Sequence, residues 1–259
     1  GENVCLFLRL GHAGQHHIRN LRHALRFRRL HAAMAGDDAV VLVHNHRIHK
    51  SEFPQAGPEL IDLILAVGGG SAIDTAKGIA HGAANPDSSL WDIWTKKAPL
   101  DKSIKVAAIL TIPAAGSEMS DSAVLTNEAA GKKLGINTPF NRCVFAIMDP
   151  TLSDSLPDWQ LKNGIVDIMM HTLERYFIPD IKCDVTDAIA EGVIRTVRDN
   201  GRLQLRDRSD YDAMAEIWWA SSVSHNNLTE LGRGKDFSVH KVGMALSAKY
   251  DYTHGATLS

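Results

Sequence analysis

The chain has 259 residues, and its 28 Lys and Arg against 30 Asp and Glu give a formal net charge of −2 with His neutral. This balance gives no electrostatic reason to expect a nucleic acid or an anionic membrane surface as a partner. Hydrophobic residues make up 44% of the chain, enough for one large core or two ordinary ones. No apolar run reaches the roughly 20 residues that a membrane helix needs, so a membrane span is not expected.

The three cysteines, Cys5, Cys143 and Cys183, lie far apart and form no C-x-x-C pair. They indicate neither a zinc knuckle nor a disulfide scaffold. A reduced, cytoplasmic setting is therefore expected. The first residues, GENVCLFLRLGHAG, lack the basic start of a signal peptide.

Apolar strands and helical patterns alternate up to residue 150. A basic helix is expected to end near Met34, and AIDTAKGIAHGAA predicts a helix over 72–84. Continuous apolar strands are typical of a parallel sheet buried on both faces, and the alternation favours an open α/β sheet. The predicted strands are VCLFLRL (4–10), DAVVLVHN (38–45), LIDLILAVGGGS (60–71, a strand running into a glycine-rich turn), KVAAILTIP (105–113) and CVFAIMDP (143–150).

Beyond Pro150 the pattern predicts helices and no convincing strand. The chain is therefore expected to have an α/β domain over 1–149 and an all-helical domain over 150–259. In the long helix that follows Cys183, five residues are expected to face inward. They are Val185, Ile189, Val193, Ile194 and Val197.

The motif VGGGSAIDTAK (67–77) places three glycines between an apolar strand and a helix that starts at Ser71. Glycines let the backbone approach a ligand closely, and a helix N-terminus favours an anion. The motif is therefore a candidate phosphate cradle, and a plain strand-to-helix turn is the alternative. A second strand end, TIPAAGSEMS (111–120), favours a shared ligand crevice, unless Thr111, Ser117 and Ser120 merely cap a turn.

In GIVDIMMHTLERYF (164–177), Asp167 and His171 are four residues apart, so they share one face of a helix. The apolar residues around them, Phe177 among them, are expected to be buried. A carboxylate and an imidazole in this setting are either half of a metal site or a core histidine held by its partner.

His240 and His254 follow in the last predicted helix and the loop after it. With Asp167 and His171 they supply one carboxylate and three imidazoles, a set that suits Fe²⁺ or Zn²⁺ with an open position for a substrate oxygen. The alternatives are a helix-face histidine and a loop histidine.

Five segments together resemble the iron-containing (group III) alcohol dehydrogenases, especially their butanol dehydrogenase-like, often NADPH-preferring branch. The resemblance runs from about residue 58 to residue 259. The segments are LILAVGGGSAIDTAKGIA, ILTIPAAGSEMSDSAVLTNE, FAIMDPTLSDSLPDWQ, GIVDIMMHTLERYF and HKVGMALSAKYDYTHGATL.

The resemblance implies a dinucleotide-binding α/β domain followed by a helical metal-binding domain. It implies hydride transfer between NAD(P)H and a primary alcohol or aldehyde, usually by a dimer or larger homo-oligomer. The implied metal ligands are Asp167, His171, His240 and His254. The implied cofactor-binding residues are Gly69, Gly70, Ser71, Asp74, Thr111, Ser117, Lys133 and Leu152.

The chain departs from the family at three places. Met244 stands where the family usually has a further His, and a thioether cannot relay a proton at neutral pH, so water or another group is expected to do so. The family's first glycine loop is only loosely matched, at Gly11–Gly14; it holds no acidic residue, which favours NADP(H) over NAD(H), as do Arg9 and Arg19. The sequence ends at Ser259, just beyond the last implied metal ligand, so we expect either a partial sequence or a shortened relative.

Two other functions remain open. A dehydroquinate synthase-like lyase would need several basic residues toward its substrate, and GIVDIMMHTLERYF offers only Arg175. A non-catalytic or partial relative that binds metal or nucleotide without turnover would be consistent with Met244 and the early end.

Overall fold

The computed structural model describes residues 4–7, 40–44, 63–178 and 181–259. Its strands are β1 (Val4–Phe7), β2 (Val40–His44), β3 (Leu63–Gly68), β4 (Lys105–Leu110), β5 (Ser122–Asn127), β6 (Lys132–Asn137) and β7 (Phe145–Met148). Five of them form a parallel sheet in the order β1-β7-β4-β3-β2, which confirms the predicted α/β sheet. The predicted basic helix and the Gly11–Gly14 loop lie outside the described residues.

The helices are α1 (Gly70–Ala84), α2 (Leu90–Trp94), α3 (Asp158–Tyr176), α4 (Asp184–Gln204), α5 (Tyr211–His225) and α6 (Ser238–Tyr250). Short 3-10 helices lie at Pro139–Asn141, Pro150–Ser153, Leu228–Glu230 and His254–Thr257. In the described part of the chain no strand follows Pro150, as predicted. A bilayer-crossing helix would need a longer apolar stretch than any described helix provides.

The sequence interpretation missed an antiparallel hairpin, formed by β5 and β6, which lies between β4 and β7 along the chain. Strands β5 and β6 pair from Ser122 opposite Asn137 to Asn127 opposite Lys132. The turn between them ends at Gly131, whose φ of +57° suits glycine. The hairpin packs on α2, where the Trp94 indole nitrogen donates to the Leu134 carbonyl at 3.1 Å. A glycine between two β-type stretches was the available signal.

One hydrophobic core joins the sheet to the helices that follow it. It contains strand residues such as Leu110 and Met148 together with Leu161 of α3 and Trp218 of α5. Trp218 is fully buried, and its indole nitrogen donates to the Ser153 hydroxyl at 3.2 Å. This core contains residues from both sides of residue 150 and therefore does not separate two domains there. The boundary between domains 1–149 and 150–259 stays a prediction.

Helix α3 buries its polar face. Its buried residues include Asp167, His171 and Glu174, whereas the adjacent Phe177 is 71% exposed. The expected burial of Phe177 was therefore wrong, and so was that of Val185, which is 76% exposed in the first turn of α4. Both apolar side chains lie near helix ends, where periodicity alone does not define which face is covered.

Candidate metal and nucleotide site

The glycine turn between β3 and α1 lies against the loop after β4. A Cβ on Gly69 would overlap the Ile112 side chain, and one on Gly70 would lie 3.1 Å from the Ala115 Cβ. Gly69 is the N-cap of α1 and supplies no side-chain cap, while the Ser71 side chain is exposed. The helix therefore offers amides that have no side-chain partner, an arrangement that suits an anion.

A buried lysine clamps this helix to the loop after β4. Lys77 is fully buried, and its ammonium donates to the Ser117 carbonyl at 2.8 Å, the Ser117 hydroxyl at 3.0 Å and the Ser122 carbonyl at 2.7 Å. Asp74 Oδ1 accepts from the Ser117 hydroxyl and lies 3.6 Å from the ammonium. Its Oδ2 accepts from the Val124 amide at 2.8 Å. We call Lys77, Asp74 and Ser117 the lysine clamp.

The same loop also contacts the helical part of the chain. A Cβ on Gly116, whose φ is +58°, would lie 2.6 Å from the Ser221 carbonyl oxygen of α5. On α5, His225 contacts the Ala115 carbonyl oxygen through Nδ1 at 2.7 Å. A Cβ on Gly164 of α3 would overlap the Pro113 carbonyl oxygen of the same loop. The loop therefore joins the glycine turn to α5 and to α3, which carries Asp167 and His171.

Three predicted metal ligands meet in space. Potential ligand atoms of Asp167, His240 and His254 all lie within 4.8 Å of one another. The Nε2 atoms of His240 and His254 lie 3.5 Å and 3.9 Å from Asp167 Oδ1. A Cβ on Gly255 would overlap the Asn163 carbonyl oxygen, so this glycine lets the 3-10 turn of His254 lie directly on α3. We call Asp167, His240 and His254 the central triad.

Each residue of the central triad has a buried polar atom without a hydrogen-bond partner. These atoms are Asp167 Oδ1, His240 Nε2 and His254 Nδ1. Buried polar atoms are normally paired, so three orphans in one cluster need an explanation. A carboxylate oxygen and imidazole nitrogens are ligands that Fe²⁺ and Zn²⁺ accept. The donor set therefore fits a divalent transition metal.

Electrostatics favour the ligand-ready protonation state at two residues of the central triad, Asp167 and His254. At His240, burial lowers the pKa but the Asp167 and Glu174 carboxylates raise it, and the net shift is upward. Burial raises the pKa of Asp167, but the adjacent His171 imidazole, with the other two histidines, holds that pKa well below its usual range. Burial lowers the pKa of His254 to about 4. Near neutral pH the carboxylate is therefore ionised and the His254 imidazole is neutral, as metal ligation requires.

His171 lies beside the central triad and is not part of that set. Its Nδ1 is 2.8 Å from the Asp167 carbonyl oxygen and 3.1 Å from Asp167 Oδ1. Its ring centroid is 4.2 Å from that of His240 and 4.1 Å from that of His225. Burial holds the pKa of His225 well below its usual value, so the His225 imidazole is neutral near pH 7.

The sequence interpretation missed Glu174 and His225. Glu174 accepts a hydrogen bond from His240 Nδ1 and is buried in the same face of α3 as Asp167 and His171. Its spacing, three residues after His171 and seven after Asp167, was a signal for this shared face. His225 carried no such signal, because only tertiary packing brings α5 against α3.

The other predicted site residues lie on β6, directly after β4 and in the 3-10 turn after β7. Lys133 is on β6, and its ammonium donates to the Ser247 hydroxyl of α6 at 3.2 Å, so the hairpin contacts the helix that carries His240. Thr111 follows β4 and donates its amide to the Gly68 carbonyl at 3.1 Å. Leu152 packs against the main core from the 3-10 turn after β7. Met244 lies on α6, one turn after His240, and is partly exposed.

Comparison with protein families identifies two matching models. The model described as iron-containing alcohol dehydrogenase matches residues 53–150. The model described as the C-terminal part of the Fe-containing alcohol dehydrogenase family matches residues 162–259. The first match contains the glycine turn and the lysine clamp, and the second contains the central triad.

Individual relatives are consistent with these matches. The chain is 41% identical to NADH-dependent butanol dehydrogenase A of Clostridium acetobutylicum, over 77% of this chain and 51% of that protein. It is 33% identical to an NADPH-dependent aldehyde reductase of Escherichia coli, over 77% of this chain and 52% of that protein. It is similar to the crystal structure of NADH-dependent butanol dehydrogenase A from Thermotoga maritima, with a TM-score of 0.75, 35% identity, and coverage of 78% and 50%. The chain thus spans about half the length of the relatives it matches.

Proposed function

The chain belongs to the iron-containing alcohol dehydrogenase family, and from that premise we propose that it transfers a hydride between NAD(P)H and a primary alcohol or aldehyde. The unpaired atoms Asp167 Oδ1 and His240 Nε2 carry the proposal, because a divalent metal held between them and His254 Nε2 would give both of them a partner. A metal bound there would supply Lewis-acid polarisation of the substrate oxygen.

We assign metal binding to Asp167, His240 and His254, with His171 as the fourth ligand. His171 already places Nδ1 against the Asp167 carbonyl oxygen, which leaves Nε2 as its ligand atom. Fe²⁺ is the proposed metal, with Zn²⁺ as the alternative that the same ligands accept. The buried surroundings exclude water from most of this cluster, which strengthens its electrostatic interactions.

We assign the pyrophosphate to the glycine turn at Gly69, Gly70 and Ser71. The polar side-chain atoms of Asp74 and Ser117 in the lysine clamp are engaged within the protein. These two residues are therefore proposed to hold the loop that borders the cofactor rather than to bind the cofactor directly. Thr111, Lys133 and Leu152 are proposed to line the rest of the dinucleotide. NADP(H) is preferred over NAD(H) because of Arg9, Arg19 and the loop without acids.

The test is oxidation of NADPH and of NADH with butanal by the purified chain, before and after chelation and after addition of Fe²⁺ or Zn²⁺. Turnover that chelation removes and metal restores is the expected result. His254→Ala is expected to abolish metal retention, and the surface variant Asp199→Asn, whose partner is Arg198, serves as the control. Unchanged metal content in His254→Ala would remove the site assignment.

A folded, metal-loaded chain that turns over neither dinucleotide would overturn the proposed activity. Metal and nucleotide binding without turnover would instead identify a non-catalytic or partial relative. The lyase alternative loses support from the structure, because the Arg175 guanidinium is fully buried and paired with Glu230 at 2.9 Å. The expected homodimer stays a prediction, to be checked by light scattering on the same preparation.

A further inference from the structure

A buried glutamate holds the N-terminal turn of the helix that carries His240. Glu174 is 8% exposed, and its Oε1 accepts from the Val239 amide at 2.6 Å and the His240 amide at 3.4 Å. Its Oε2 accepts from His240 Nδ1. Helix α6 has no side-chain cap from its own N-cap residue, Phe237, so a carboxylate from α3 performs that task.

This carboxylate also decides which imidazole nitrogen is available. Because Nδ1 of His240 donates to Glu174, Nε2 keeps its lone pair in the neutral ring. Nε2 is the orphaned atom 3.5 Å from Asp167 Oδ1. One side chain thus sets the tautomer, the ring orientation and the position of the helix turn that bears the ring.

Building on the proposed metal site, we propose that Glu174 is a positioning residue that prepares His240 as a metal ligand. It acts through His240 and belongs outside the central triad. Carboxylates that accept from the second nitrogen of a ligating histidine raise its basicity and fix its direction. A carboxylate near a helix N-terminus also gains from the helix dipole.

The nearby charged groups do not provide a substitute for Glu174. Glu230 is engaged by Arg175 at 2.9 Å and by Lys235 at 3.2 Å. Asp167 Oδ1 lies on the Nε2 side of His240, where the ligand atom must stay free. Loss of the Glu174 carboxylate therefore leaves the Nδ1 side of the ring without its acceptor.

The test compares Glu174→Gln and Glu174→Asp with Asp187→Asn. In the Gln variant, one oxygen remains to serve both the amides and the imidazole. Asp187 pairs with Arg233 in the same helical part of the chain and has no contact with His240, so its variant is a matched control for lost stability. Metal-free protein is titrated with Co²⁺ and with Zn²⁺ against a competing chelator, and thermal unfolding is followed in parallel.

Glu174→Gln is expected to weaken metal binding by about 10–100-fold, Glu174→Asp to recover part of that loss, and Asp187→Asn to leave affinity unchanged. Nitrogen NMR of the metal-free chain is expected to show His240 protonated on Nδ1 in the parent and mixed tautomers in Glu174→Gln. Parent-like metal affinity in Glu174→Gln, or a loss shared by Asp187→Asn, would overturn the proposal. If the parent binds neither ion, the metal site itself is wrong.

Discussion

The lysine clamp and the central triad are two buried polar clusters in one chain, and they differ in how completely their atoms are paired. The Lys77 ammonium has three oxygen acceptors, and both carboxylate oxygens of Asp74 accept hydrogen bonds. In the central triad, three buried atoms have no hydrogen-bond partner. A buried cluster with every bond made stabilises the fold, whereas an incomplete one indicates a place for a ligand.

The energetic contrast follows from the same observation. A buried polar atom without a partner costs about 1–3 kcal/mol. At the central triad, the proposed metal would offset part of this cost by giving Asp167 Oδ1 and His240 Nε2 a partner. The side-chain polar atoms of the lysine clamp all have partners. Replacing Lys77 is therefore expected to lower the free energy of unfolding and to leave metal binding unchanged.

Asp167→Asn should have the largest functional effect. The substitution removes the carboxylate charge of the central triad and replaces a ligand oxygen partly with an amide nitrogen, which cannot ligate. Loss of stoichiometric metal after dialysis is expected, measured by elemental analysis, with Asp199→Asn as the surface control. Full metal retention would show that the central triad does not form the site.

Lys77→Met tests the lysine clamp, the cluster in which every polar atom is paired. It leaves the Ser117 and Ser122 carbonyls without their donor and Asp74 without its cation, so the free energy of unfolding should fall by about 3–5 kcal/mol. Urea unfolding measures this loss, and Co²⁺ titration of the folded fraction should give parent-like affinity. A loss of stability as small as that of a surface ion pair, under about 1 kcal/mol, would contradict a structural role.

Gly116→Ala tests the loop that connects the two clusters. A left-handed φ and a Cβ only 2.6 Å from the Ser221 carbonyl should together cost about 2–4 kcal/mol. Gly131→Ala is the matched control, since its φ of +57° is the same but nothing lies within 4 Å of its added Cβ. The control should lose only about 1 kcal/mol. Equal losses in the two variants would show that the close approach to α5 contributes nothing.

Glu118→Gln should have the smallest effect and the opposite sign. Burial raises the pKa of Glu118, although its carboxylate accepts from the Ser222 hydroxyl. Because the folded-state pKa is above the unfolded one, the protein loses stability as pH rises through the folded pKa. The Gln variant lacks this loss, so it should be the more stable protein on the alkaline side. Urea unfolding over a pH series checks this. If the free energy of unfolding changed with pH in the same way in the parent and in Glu118→Gln, the prediction would be contradicted.

Short-range patterns predicted much of the architecture. Apolar runs located the five strands of the sheet, since burial on both faces leaves a continuous signal. The glycines before Ser71 located the turn between β3 and α1, because Ile112 and Ala115 lie too close to this backbone to leave room for a Cβ. The spacing of Asp167 and His171 placed both on one helix face, and that face is buried.

The hairpin of β5 and β6 was not predicted, because its strands are only partly buried and their alternation is weak. Exposure of Phe177 and Val185 was also missed. Helical periodicity identifies which residues share a face but does not say which neighbour covers it. That choice depends on helices distant in sequence.

By itself the sequence determined the five strands of the parallel sheet, the glycine turn and the residue types able to bind a metal. Only the tertiary structure decided which of those residues meet. His240 and His254 reach Asp167 because α6 and the turn at Gly255 pack on α3. Tertiary packing likewise gave Lys77 a full set of partners and left the central triad incomplete. Hydrogen-bond completeness is a property of groups brought together from distant segments, and no local pattern encodes it.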